Sequence, residues 1–171
     1  MNSVAFSTDG SYVVSGSNDG TVRVWSVLIG VEVLKPLLSE SGTARRVMFS
    51  PDGKHIVCLV GRKIVQVWDI VSEVIVRELT LSHSKLAESI ALSPNGYRIA
   101  SRSNATTVGF WDAETGAAVF SPLAGYSSGA NYVSFSPDSR PIASSSWDGT
   151  VRIWDVKTGV TAGDPLTGHS G

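Results

Sequence analysis

Apolar and polar positions alternate in short runs along this chain, and clusters of turn residues separate the runs. Thr21-Val22-Arg23-Val24-Trp25 alternates with period two, the spacing of a strand that buries one face. Ser3 to Ser7 alternates small and large residues, and Tyr12-Val13-Val14-Ser15 is a second β-branched run. Thr8-Asp9-Gly10 and Asn18-Asp19-Gly20 carry turn chemistry between them. A fourth run, Val31 to Leu37, follows Gly30. The pattern predicts four short strands joined by tight turns, and helical periodicity appears nowhere.

The whole pattern recurs. Trp25, Trp68, Trp111 and Trp154 stand 43 residues apart. A second marker keeps the same step: Phe6-Ser7-Thr8-Asp9-Gly10, Phe49-Ser50-Pro51-Asp52-Gly53, Leu92-Ser93-Pro94-Asn95-Gly96 and Phe135-Ser136-Pro137-Asp138-Ser139. The copies run over 1–38, 39–81, 82–124 and 125–167, and 168–171 begin a further one. Each copy predicts a four-stranded antiparallel sheet with apolar faces that it cannot cover alone, so the copies must stack. The expected fold is all-β.

These residues resemble the WD-repeat β-propellers, in which a four-stranded blade ends its third strand in Trp-Asp. Trp68-Asp69, Trp111-Asp112 and Trp154-Asp155 carry the dipeptide, whereas Trp25-Ser26 has lost its Asp. Gly168-His169 matches the Gly-His pair that opens the family's repeat, and the same column reads Tyr126, His83 and Glu40 at earlier copies. The resemblance implies a buried polar network of that His, a turn Asp, a Ser or Thr, and the Trp. The Asp column reads Asp19, Arg62, Ala105 and Asp148, so the network is expected to be damaged in the second and third blades. Its candidate members are Asp19, Trp25, Trp68, His83, Trp111, Asp148, Trp154 and His169. The copies also resemble the regular arrays attached to NACHT-type signalling proteins.

Four blades make half of a usual ring. Asp19 and Trp25 need a His that lies before Met1 in phase, and His169 supplies one at the other end. Two chains joined head to tail are therefore expected to form an eight-bladed homodimer, with His169 of each completing the first blade of the other. A fragment of a longer array, a four-bladed monomer and another closed number are the alternatives.

Composition narrows the function. Fourteen Lys and Arg against fifteen Asp and Glu leave a formal charge of -1, which provides no field for nucleic acid or an anionic membrane. The longest aliphatic stretch, Ile56 to Val60, is far short of the about 18 residues that span a bilayer, and no basic leader follows Met1. A single cysteine, Cys58, suits a reducing compartment, so a cytoplasmic or nuclear location is expected. It sits in an aliphatic run, where a buried core residue is the expectation rather than a nucleophile. The histidines His55, His83 and His169 lack metal-ligand spacing, and no serine has a credible base. No enzyme activity and no cofactor are expected.

A docking platform remains. The resemblance places partner contacts at the residue before the turn Asp and at the residue four before the Phe anchor. Those columns single out Asn2, Asn18, Arg45, Glu88, Asn104, Asn131 and Trp147. Trp147 is the tryptophan outside the structural column, either an interface anchor or packing against a neighbouring blade. The expected function is a protein-interaction scaffold with an unidentified protein or peptide partner. Alternatives are a carbohydrate- or small-ligand-binding module and a piece of a larger WD-repeat signalling protein.

Overall fold

A computed structural model of the chain describes residues 1–39, 42–81, 87–103 and 106–169. The described residues form fifteen strands, and no helix is long and apolar enough to cross a membrane. The chain divides into two compact units, Met1–Leu81 and Ser82–Gly171. In the first, β1 (Ser3–Phe6), β2 (Tyr12–Gly16), β3 (Thr21–Ser26) and β4 (Leu37–Leu38) form one antiparallel blade, and β5 (Ala44–Phe49), β6 (His55–Val60), β7 (Ile64–Asp69) and β8 (Ile75–Thr80) form the next. In the second, β9 (Ala87–Leu92), β10 (Arg98–Ser103), β11 (Thr107–Asp112) and β12 (Leu123–Ala124) make a third blade. The fourth consists of β13 (Ala130–Phe135), β14 (Pro141–Ser146) and β15 (Val151–Asp155), with the outer segment attached through isolated bridges at Thr161 and Leu166.

The recurring turn residues act in the same way in each copy. Between the first two strands, the Ser7, Ser50, Ser93 and Ser136 hydroxyls donate to Asp9, Asp52, Asn95 and Asp138 at 2.6, 2.5, 2.7 and 2.6 Å. Each of those acceptors also takes the amide two residues further on, closing the turn. The next residue must be left-handed, and Gly10, Gly53 and Gly96 have φ of 72°, 68° and 78°. Ser139 holds the same place at φ 60° despite its Cβ. The Asp of each Trp-Asp pair closes the outer turn instead. Asp69, Asp112 and Asp155 each accept two backbone amides and the hydroxyl of Ser72, Thr115 or Thr158.

The outer strand differs from the expected continuous run over Val31 to Leu37. In the first blade it is reduced to Leu37–Leu38 and a bridge from Glu32 to Trp25. Pro36 explains the break, because it has no amide to give the ladder. Pro122 and Pro165 fall in the same column, and those outer strands are interrupted in the same register. Leu79 replaces proline in the second blade, and there alone among the described residues β8 pairs with β7 over six residues.

Within each unit one sheet packs face to face on the next. Val14, Val22, Val24 and Leu37 of the first blade meet Val47, Ile56, Cys58 and Val60 of the second. Ala100, Val108, Phe110 and Leu123 meet Val133, Ile142 and Trp154 in the same manner. Gly16 makes the first contact close: a Cβ there would lie 2.8 Å from Val47 Cγ1 and 3.1 Å from the Ala44 carbonyl oxygen. Each unit also has an uncovered face. Val4 is 56% exposed, whereas Val47, its equivalent one period on, is 1% exposed. Phe6 is 67% exposed beside it. In the fourth blade Leu166 is exposed, and Ala143, Val151 and Ile153 are half-exposed, where their counterparts in the third blade are buried.

Candidate functional site

The tryptophan column builds a polar link in three of the four blades. Trp25, Trp111 and Trp154 donate Nε1 to the hydroxyls of Ser15, Ser101 and Ser144 at 2.9, 2.6 and 2.6 Å. Each serine stands on the neighbouring strand, diagonal to the indole. In the second blade the serine column holds Cys58. Trp68 is 5% exposed, and its Nε1 is buried with no hydrogen-bond partner. Burial pushes the Cys58 thiol up to about 12, so it is neutral and unreactive at physiological pH.

Among the described residues, the fourth blade has an extended network. Tyr126 occupies the His column, and its hydroxyl bonds the Ser144 hydroxyl and donates to the Ser144 carbonyl at 3.0 Å. The chain is consistent in protons: Trp154 donates to Ser144, the Ser144 hydroxyl to Tyr126, and Tyr126 to the carbonyl. The Tyr126 and Trp154 rings meet edge-on with centroids 6.2 Å apart, and the Arg152 guanidinium lies over the Tyr126 ring, 5.1 Å from its centroid. Burial raises the Tyr126 phenol above its ordinary value. Neither turn aspartate enters this interior. Asp148 accepts from Thr150 and from the Ser127 amide, and exposed Asp19 accepts from the Thr21 amide and hydroxyl at 2.9 and 2.7 Å. His83, together with Glu40 and Ala105 of the same columns, lies outside the described residues.

The rim candidates separate into local groups. In the first unit Asn2 donates its amide to Asn18 Oδ1 at 2.8 Å and to the Ala44 carbonyl at 3.1 Å. Arg45 is half-buried in β5. In the second unit Glu88 pairs with Arg102 at 3.0 Å. Asn131, Trp147 and His169 border one groove of about 450 Å³, with Asp148 at its edge. Trp147 is 72% exposed, and its backbone amide is fixed to the Gly129 carbonyl at 3.0 Å. Asn104 lies outside the described residues. The sequence reading places Tyr126 in the His column and expects a Ser or Thr in the network, but it does not pick out the Ser15, Cys58, Ser101 and Ser144 column or the bonding of the Tyr126 hydroxyl, although the column is visible at steps of 43 once its partner is known.

His55 lies 3.7 Å from Asp52 and 4.0 Å from Asp69 on the blade edge, and both carboxylates are held by turn donors. Among the described residues no group of three His, Cys, Asp or Glu converges on a metal-sized site.

No curated protein matches the chain at a significant level. A family model, WD domain, G-beta repeat, matches residues 1–26 and 118–155. Those stretches take in the first three strands of the first blade and most of the fourth blade. The intervening copies repeat the same meander, the same indole position and the same first turn, closed by Ser50 with Asp52 and by Ser93 with Asn95. The two matches and the four-blade arrangement together support a WD-repeat β-propeller.

Proposed function

We propose that this chain is a non-catalytic protein-interaction scaffold that works as a homodimer, two copies joined head to tail into an eight-bladed propeller. WD-repeat propellers generally serve as interaction scaffolds, and the observation that supports the dimer is the pair of uncovered faces. Within each unit, a Val14-type face always packs on a Val47-type face. The first blade leaves its Val4 and Phe6 face bare, and the fourth leaves Val151, Ile153 and Leu166 partly bare. A second copy offers each face the complement that its equivalent already has inside the unit. Two-fold closure then covers both, and burying a side chain such as Val4 or Phe6 contributes about 1.5 to 3 kcal/mol. In that assembly His169 of one copy adjoins Asp19 of the other. Partners then meet the Asn2 and Asn18 rim and the Trp147 groove, and the single reduced Cys58 fits a cytoplasmic or nuclear setting.

Absolute mass by light scattering, over a range of concentrations, tests the assembly. The expected mass is twice 18.1 kDa, falling to the monomer in Val4→Glu. A wild-type monomer throughout overturns the homodimer. A second reading, carbohydrate binding, draws on exposed Trp147 beside Asn131 and His169. Binding on a glycan array that Trp147→Ala abolishes would favour it over a protein partner.

A further inference from the structure

The two units differ at one matched position, between the outer parts of their paired blades. In the second unit this position is filled. Phe110 stacks on Phe120 with centroids 5.7 Å apart and interplanar angle 11°, and Phe135 meets Phe110 at 6.0 Å. Two periods earlier the same columns read Val24, Leu34 and Phe49. Two phenyl rings are thus replaced by shorter aliphatic side chains. The result is a cleft of about 460 Å³ with Val24, Val33, Leu34, Phe49 and Ile70 in its walls. Its size is that of a site for one or two side chains.

The rim is also different. The charged residues lining the cleft are Asp9 and Asp52, one from each blade's first turn. The donors on Asp9 are neutral, the Ser7 hydroxyl at 2.6 Å and the Ser11 amide at 3.0 Å. Asp52 takes the Ser50 hydroxyl and the Lys54 amide, with His55 3.7 Å away. The Ser7 and Ser50 hydroxyls, first among these contacts, hold both carboxyls below the usual range, so both are ionised at neutral pH. In the second unit Asn95 replaces Asp9, and the backbone amide of Asn95 donates to Ser139 Oγ across the gap at 3.1 Å, where the first unit has Gly53. One unit therefore has a closed, aromatic seam. The other has an open apolar cleft under two negative charges.

We infer that the Asp9–Asp52 cleft of the first unit binds a partner-protein segment in which a bulky apolar side chain adjoins a lysine or arginine. The apolar side chain takes the space that Phe110 and Phe120 fill in the second unit, and the cation lies between the two carboxylates. An acidic segment is repelled, and a basic segment without an apolar neighbour leaves the floor wet. The inference rests on the scaffold reading and specifies a partner chemistry for it. It does not depend on the dimer.

The second unit supplies the test variants. Leu34→Phe copies Phe120 and fills the cleft, and Asp9→Asn copies Asn95 and removes one charge. The probes are three blocked pentapeptides, Gly-Leu-Arg-Leu-Gly, Gly-Leu-Glu-Leu-Gly and Gly-Gly-Arg-Gly-Gly, titrated into the isotope-labelled full chain and followed by amide chemical shifts. The Leu-Arg-Leu peptide should move the amides of Ser7 to Tyr12 and Phe49 to Lys54. Leu34→Phe should weaken that response at least about tenfold, and Asp9→Asn should weaken it several-fold with a shallower salt dependence. Asp9→Asn keeps the turn acceptor, as Asn95 does, so its effect reads charge and not folding. Equal response to the glutamate peptide, an unchanged response in Leu34→Phe with a native spectrum, or no response to any peptide overturns the inference. Concentration-dependent shifts of the same amides without peptide assign the cleft to a second copy and also overturn it. A doubled mass or partner capture that survives a negative titration leaves the scaffold reading standing and removes the cleft alone.

Discussion

Cys58→Ser isolates the cost of the one indole in the structural column that lacks a partner among the described residues. Trp68 Nε1 is buried without an acceptor, while Trp25, Trp111 and Trp154 each have a serine hydroxyl in the equivalent place. Leaving a buried donor unsatisfied costs about 1 to 3 kcal/mol, and a made hydrogen bond contributes about 0.5 to 1.5 kcal/mol net. Serine at 58 would accept from Trp68 at the 2.6 to 2.9 Å seen in the other blades. Against this stands the loss of a fully buried, apolar thiol and the need to place one hydroxyl proton. The balance favours the substitution by about 1 kcal/mol, or about 2 to 4 °C in Tm for a chain of this size. Urea unfolding followed by tryptophan fluorescence measures it. The deciding control is a double-mutant cycle with Trp68→Phe, which removes the donor. The benefit of serine should vanish in that background, giving a coupling of about 1 kcal/mol. Ser144→Ala, the mirror experiment, should destabilise by about 1 to 3 kcal/mol by orphaning Trp154 Nε1, while Tyr126 keeps its bond to the backbone carbonyl of residue 144. If Cys58→Ser destabilises by the same amount with tryptophan and with phenylalanine at 68, the missing bond is not what limits this blade.

Three other outcomes are expected. Leu79→Pro gives β8 the residue that interrupts the other outer strands; it should cost about 3 kcal/mol and strip hydrogen-exchange protection from Val65 and Leu81, whose amides face across the β7–β8 ladder. Trp147→Ala should change stability by less than about 0.5 kcal/mol because its side chain is exposed, and a larger loss in a thermal melt would recast it as packing. Acid should weaken the fold through the turns. The Asp9, Asp52 and Asp138 carboxyls are depressed chiefly by the Ser7, Ser50 and Ser136 hydroxyls, so their contribution is complete above the unfolded value of about 3.9 and is lost as pH falls through the lower folded values. Melts from pH 7 to pH 2 should show this fall, and Asp138→Asn should reduce its steepness; an unchanged slope counts against the assignment.

The period of 43 made the blades legible, because two markers recur in phase and each copy needs a neighbour for its apolar face. The turn serines, aspartates and glycines were equally readable, since their bonds span only a few residues. Failures came where a column's meaning depends on a distant partner. Pro36 looked like part of a strand because the residues around it are β-formers, and only the pairing with β3 reveals the break. Tyr126 read as a lost histidine until its hydroxyl was seen against Ser144. The cleft was invisible for a similar reason: Val24 and Leu34 are ordinary core residues until set beside Phe110 and Phe120 in the matched space.

The tyrosine in the fourth blade has a consequence for the conditions that blade tolerates. Imidazole in that place would carry a proton equilibrium near pH 6.5, and its charge would change across mildly acidic surroundings. A phenol raised above 10, a serine and an indole have no such equilibrium between pH 5 and 8. The interior of this blade therefore keeps one protonation state, and one set of donors and acceptors, through the acidity changes to which a histidine-linked blade would respond.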